Sequence, residues 1–202
     1  MTDNSTLRAN SRAQLGGSIF SNAWLLMLAV CAIQSVVLSI SGYVVVGPLL
    51  VGGALAYALA RITVKAATNP TVPVDFSDLL CGFRERFSDT LVLYLLKNVF
   101  IFLWTLLFIV PGIIKRYAYG LSDYLLQDDP ALTPRAALDK SQALMDGYKA
   151  QLFCLDLSFI GWYILGALCC GVGVFFVAPY HQMARANFYL ARVASIEYTV
   201  EV

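Results

Sequence analysis

Residues 13–60 contain no Asp, Glu, Lys or Arg, and neither do residues 157–184. Runs of that length leave a helix without the polar face that a water-soluble fold requires. An ordinary soluble domain has about 25% charged residues; here the fraction is 13%, against 59% hydrophobic. Mean hydropathy is +0.70. A bilayer core about 30 Å thick is crossed by roughly 20 apolar helical residues, so the first run has room for two crossings. The expected fold class is all-α, a polytopic membrane helix bundle. A net charge of +1 gives no drive toward nucleic acid, and none is expected as a partner.

Counting the crossings turns on "FIVPGIIKRYAYG" at 108–120. Proline is tolerated in the first turn of a helix, where its missing N–H has no intrahelical partner. Pro111 therefore reads as the opening of a return arm. Pro48 and Pro179 hold comparable places in "VGPLLVGGALAYALARI" and "VAPYHQMARANFYLARV", which also share Leu-Ala-Arg near their ends. Three helical hairpins follow, with six transmembrane helices at 22–40, 44–62, 91–110, 111–127, 151–168 and 174–193. Gly52, Ala56 and Ala60 recur every four residues, a seam that lets a neighbouring helix approach closely. The whole chain, 1–202, reads as a single integral membrane domain. It comprises a cytoplasmic segment (1–21), hairpins at 22–62, 91–127 and 151–193, and two amphipathic segments (75–88 and 133–149).

Lys and Arg concentrate in cytoplasmic loops. With the N-terminus inside, the inner segments and helix ends hold Arg8, Arg12, Arg61, Lys65, Arg84, Arg86, Arg135, Lys140, Lys149, Arg185 and Arg192. The outer turns near 41–46, 110–112 and 169–173 hold none. Five crossings would move Arg135, Lys140 and Lys149 outside, so six are expected, in a cell membrane, with both termini cytoplasmic. The run at 23–40 is longer than the 7–15 residues of a signal h-region, and no cleavage is expected.

Both amphipathic segments belong to the inner face. "DFSDLLCGFRERF" puts Phe76, Leu79, Leu80, Phe83 and Phe87 on one stripe. "TPRAALDKSQALMDGYK" has Thr133 as N-cap and Pro134 as first helical residue. Its apolar side carries Ala137, Leu144, Met145 and Tyr148; its polar side carries Arg135, Asp139, Lys140, Gln142 and Asp146. Helices of this kind lie in the headgroup plane. They either close the inner end of the bundle or offer a surface to membrane lipids or a membrane-protein partner, with Arg84, Arg86, Lys140 and Lys149 as the candidates.

Ionisable groups within membrane segments are costly to desolvate and so are functional candidates. These are Lys97, Lys115, Arg116, Asp123, Asp156 and His181, with Tyr119 between Arg116 and Asp123 on one helical face. Arg116 and Asp123 are expected to neutralise each other. Such groups line a polar pathway or hold helices together, and composition does not separate the two.

Five cysteines, Cys31, Cys81, Cys154, Cys169 and Cys170, form no metal-binding spacing and read as small apolar residues. One histidine rules out HExxH, and neither a G-x-S-x-G elbow nor a GxxxxGK[ST] loop occurs. No catalytic residue, metal or cofactor is expected.

"FSDLLCGF" at 76–83, "VPGIIKRYAYGLSDYLLQDDP" at 110–130 and the long stretch 136–189, with the start "LRANSRAQLGG", resemble the bacterial integral membrane proteins of domain-of-unknown-function family 975. The resemblance covers nearly the whole chain and implies a multi-pass protein of the bacterial cytoplasmic membrane, without an activity to carry over. More distantly, Pro134, Ala137, Leu138, Ser141, Leu144 and Gly147 are similar to a segment of the membrane domain found in some glycerophosphodiester phosphodiesterases. No stretch of these 202 residues resembles the soluble catalytic domain of those enzymes, so their activity is not implied. The function expected is a non-catalytic, lipid- or partner-binding membrane module. The alternative is a small transporter or channel with a polar pathway between the crossings at 91–110, 111–127 and 174–193.

Overall fold

A computed structural model of the chain describes residues 4–14, 28–29, 31–32, 46–68, 78, 80–168 and 172–200. Every regular element among them is helical: α1 (Asn4–Gln14), α2 (Val46–Thr68), α3 (Cys81–Arg84), α4 (Phe87–Leu107), α5 (Ile109–Ala118), α6 (Ser122–Asp128), α7 (Pro134–Leu144), α8 (Lys149–Leu168) and α9 (Val172–Val200). Most of the crossing predicted at 22–40, residues 69–77 and the pair Cys169–Cys170 lie outside the described residues. Among the described helices, α4 and α8 are long and apolar enough to cross a membrane, with mean hydropathies of 1.9 and 1.5. The chain divides into two compact units. One holds α1, the end of α2 from Ile62, α8 from Gln151, and α9; the other holds the start of α2 and α3 to α7.

In the second unit, α4 and α5 form the hairpin that "FIVPG" predicts, with a shifted turn. Phe108 is extended (φ −156°, ψ 138°) and reverses the chain, so α5 begins at Ile109. Pro111 is then the third residue of α5, still inside the turn whose N–H groups have no helical acceptor. The two arms are close enough that a Cβ on Gly112 would come within 2.8 Å of Thr105 Cα. α2 meets α4 through glycine as well: a Cβ on Gly53 would lie 2.5 Å from the Thr90 carbonyl oxygen, and one on Gly52 would touch the Tyr94 ring. The seam expected at Gly52, Ala56 and Ala60 is thus drawn toward Gly52 and Gly53.

The return arm does not run unbroken from 111 to 127. It stops at Ala118, turns through Tyr119, Gly120 and Leu121, and resumes as α6. α7 starts where its sequence says, with the Thr133 side chain accepting the Ala136 N–H and Pro134 in the first helical turn. It ends before Met145, and Gly147 with φ +75° supplies the left-handed residue that lets the chain leave toward α8. Ala137 and Leu138 pack with Tyr57, Ala58, Cys81, Leu93, Tyr119 and Leu126 in the core of this unit. The amphipathic segment predicted at 75–88 is shorter than expected where it is described. α3 is a single turn, and Phe87 already opens α4.

In the first unit, α8 and α9 cross closely near their reversal, where a Cβ on Gly173 would stand 2.5 Å from Gly166 Cα. α9 begins at Val172, so Pro179 lies inside it rather than at its start. The N-terminal stretch, expected only as a cytoplasmic segment, forms α1 and packs on α9. Leu7 is buried there, Tyr180 donates to the Arg8 carbonyl at 3.2 Å, and Asn187 donates to Ser11 Oγ at 2.9 Å.

Candidate functional site

Of the ionisable residues singled out in the sequence, Lys97 and Asp123 meet in the second unit, and Asp156 and His181 in the first. In the second unit, Asp123 lies in the first turn of α6, where the exposed N–H groups favour a negative charge. Its partner is Lys97 from the middle of α4: Nζ is 2.5 Å from Asp123 Oδ2, and both side chains are only 16% exposed. The expected Arg116–Asp123 pair therefore does not form. The turn at Tyr119–Leu121 rotates α6 away from the helical register of α5 and aims Asp123 at α4, leaving Arg116 exposed. Tyr119 is buried with its ring against Phe100. Lys115 donates to Gln142 Oε1 at 2.6 Å and lies over the rings of Trp104 and Tyr119.

In the first unit, Asp156 of α8 takes two hydrogen bonds from Arg185 of α9, at 3.1 Å from Nε and 2.7 Å from Nη2. Its Oδ1 is also 2.8 Å from His181 Nε2, and His181 Nδ1 is 3.0 Å from the Tyr163 hydroxyl. Arg185 already neutralises the carboxylate, so a neutral imidazole satisfies each group. Nε2–H donates to Asp156, and Nδ1 accepts from Tyr163. Phe159 packs against the imidazole face at 4.8 Å between centroids. The assembly is a hydrogen-bonded file, tyrosine to histidine to aspartate, fixed by a bidentate arginine. It can hold a neutral ion pair in low dielectric or relay a proton.

The surface candidates separate into different roles. Arg84 and Lys140 are exposed, and Lys149 pairs at 3.2 Å with exposed Asp146. Arg86 is instead half-buried and built into the fold. Its guanidinium donates to the carbonyls of Leu126 (3.3 Å), Asp129 (3.3 Å) and Leu132 (2.8 Å) while pairing with Asp89 at 2.7 Å. It thereby ties the last turn of α6, and the residues that follow it, to the start of α4. Ser141 is a second residue whose task a sequence does not announce. It is fully buried, donates to the Ala118 carbonyl at 2.8 Å and accepts the Leu121 N–H at 3.3 Å. Those are the last carbonyl of α5 and an N–H at the start of α6, so one hydroxyl bridges the break. Cys81, buried in the core of the same unit, has its thiol pushed up by that burial. Among the described residues, no three His, Cys, Asp or Glu side chains are grouped to hold a metal ion.

The family described as Protein of unknown function (DUF975) matches residues 1–118 and 109–195. The chain belongs to the DUF975 family. No curated protein and no solved structure matches it. Both polar clusters, and α7 with Ser141, lie within the stretches that DUF975 covers, and the family description assigns them no activity.

Proposed function

We propose that this DUF975 protein is a non-catalytic integral membrane module that binds lipids or a membrane-protein partner through the charged face of α7 and the neighbouring Arg84. Three helical hairpins, with six crossings in all, open from the cytoplasmic side of a bacterial membrane, and both termini lie on that side. The observation that carries the reading is the division of α7 into two faces. Ala137, Leu138, Ser141 and Leu144 are buried, while Arg135, Asp139, Lys140 and Gln142 are exposed. The buried face and the Ser141 bridge hold the helix rigidly, so its charges are presented in a fixed array at little further cost in entropy on binding.

The test is extraction into nanodiscs followed by native mass spectrometry of what travels with the protein. Arg84→Glu and Lys140→Glu, both at exposed positions, are expected to lose the bound anionic lipid or partner while keeping the helical circular-dichroism spectrum. Variants that retain the same companions would remove the reading.

A transporter is the second reading, favoured by the interrupted α5–α6 arm beside the Lys97–Asp123 pair. Broken helices in transporters expose backbone groups near the bilayer midplane, where ions and substrates bind. Proteoliposome flux that responds to Asp123→Asn would support it, and no flux of any solute tried would count against it.

A further inference from the structure

We infer that the corner between α3 and α4 is an interfacial lipid site. Leu80, Phe83 and Phe87 lie against acyl chains of the cytoplasmic leaflet, and Arg84 holds the head group of an anionic phospholipid. The inference rests on the membrane reading above and deepens it, choosing lipid over a protein partner and adding the apolar half of the contact.

Fixed contacts on one side turn the corner outward. α3 is pressed onto α2 through Gly82, where a Cβ would run into the Ala54 carbonyl oxygen, and Cys81 beside it is buried. Glu85 is tied to Arg61 of α2 at 2.5 Å. With about 3.6 residues per turn, burying Cys81 and Gly82 sends Leu80, Phe83 and Arg84 to the opposite side. Leu80 is accordingly 54% exposed, Phe83 36% and Phe87 38%, with the two phenyl rings stacked at 5.8 Å between centroids. An apolar patch held open in this way marks a contact surface.

The charges beside the patch are not balanced within the corner. Glu85 is taken by Arg61, and Asp89 by Arg86 at 2.7 Å. Arg84 is exposed and has no carboxylate partner among the described residues. Its guanidinium offers N–H donors in a fork that matches a phosphate.

Continuity selects lipid as the occupant. Phe87 is the first residue of α4 and stands at the foot of the exposed apolar side that Leu95, Phe102 and Leu106 continue along that helix. Phe83 extends the same surface below it through the stacked rings. In the membrane reading α4 leaves the cytoplasmic surface at this foot, so the rings meet the inner boundary of the hydrocarbon and Arg84 the phosphates. Apolar residues in the acyl boundary with a basic residue at head-group level are the ordinary means of interfacial binding. One arginine near an anionic leaflet raises the local share of anionic lipid about fivefold.

The test places one indole at the corner and reads the lipid beside it. Trp24, Trp104 and Trp162 are replaced by phenylalanine, Phe83→Trp is introduced, and the full chain is set in nanodiscs. The bilayer is phosphatidylcholine with a minority of phosphatidylglycerol, and one lipid or the other carries bromine in its acyl chains. Mole for mole, brominated phosphatidylglycerol should quench the indole about fivefold more than brominated phosphatidylcholine, and adding Arg84→Gln should make the two equal. Phe102→Trp, higher on α4, should be quenched by both without preference. Equal quenching of Phe83→Trp by the two lipids with Arg84 in place overturns the head-group site, as does a preference that survives Arg84→Gln. No quenching at Phe83→Trp while Phe102→Trp is quenched overturns the contact with acyl chains. A protein companion in native mass spectrometry, with no lipid preference at the corner, overturns the choice of lipid and leaves the reading above standing. Absence of quenching at both positions would defeat the membrane reading, and this inference with it.

Discussion

Arg86 shows what one residue does when its side chain is counted bond by bond. Seen in sequence it is one of two arginines around a glutamate, a polar border suited to lipid headgroups. In the fold it holds three carbonyls and a carboxylate together, and so ties the start of α4 to the end of α6 and the approach to α7. A planar guanidinium carries five N–H donors in a fixed fork, whereas an ammonium carries three on a compact head. Arg86→Lys is therefore expected to destabilise despite keeping the charge, and Arg86→Ala to cost about 3 kcal/mol by leaving Asp89 and the carbonyls without their donor. Thermal unfolding in mild detergent measures both. Arg84→Ala, two residues earlier and exposed, serves as control and should stay within about 0.5 kcal/mol of wild type.

At the scale of elements, the parts legible in the sequence are those whose cause is local. Thr133 and Pro134 open α7 because a cap and a fixed φ act within one turn, and the alternation of apolar and charged residues fixes which face is buried. The α4–α5 reversal is legible for the same reason, although Phe108 makes the turn and Pro111 only tolerates it. The break at Tyr119–Leu121 is not legible. Its unpaired carbonyl and N–H are satisfied by Ser141, a residue 20 or more positions away, and no pattern within the arm records that. The Lys97–Asp123 pair was hidden by the same break, since a continuous helix would have kept Asp123 in register with Arg116. Gly112 likewise looks like part of a Pro-Gly turn but serves close packing of the two arms. Gly112→Ala would press a methyl group against Thr105, with an expected cost of about 1–3 kcal/mol. Gly161→Ala, where nothing lies within 4 Å of the added carbon, should be neutral or slightly stabilising through helix propensity. The difference between the two unfolding midpoints is the measurement, and equal midpoints would mean the arms are not in contact.

At the scale of the whole molecule, each unit neutralises its own buried charge: Lys97 with Asp123 in one, Arg185 with Asp156 in the other, where His181 adds a hydrogen bond. Neutral pairs of this kind are what both a rigid scaffold and a charge-conducting pathway would build, so composition and geometry leave the choice to energetics. Removing one member of a buried pair costs about 3–5 kcal/mol because the other is stranded, whereas replacing both with apolar residues is often neutral or stabilising. For a scaffold, Lys97→Leu and Asp123→Leu should each lower the unfolding midpoint, and the double variant should recover it with lipid or partner binding intact. For a pathway, the double variant should recover stability and still lose flux, since the groups that would bind the solute are gone. The two measurements on one double variant therefore separate holding the helices together from moving something between them. We expect recovery of both stability and binding, the outcome in which the charges of α7, and not the Lys97–Asp123 pair, meet the ligand.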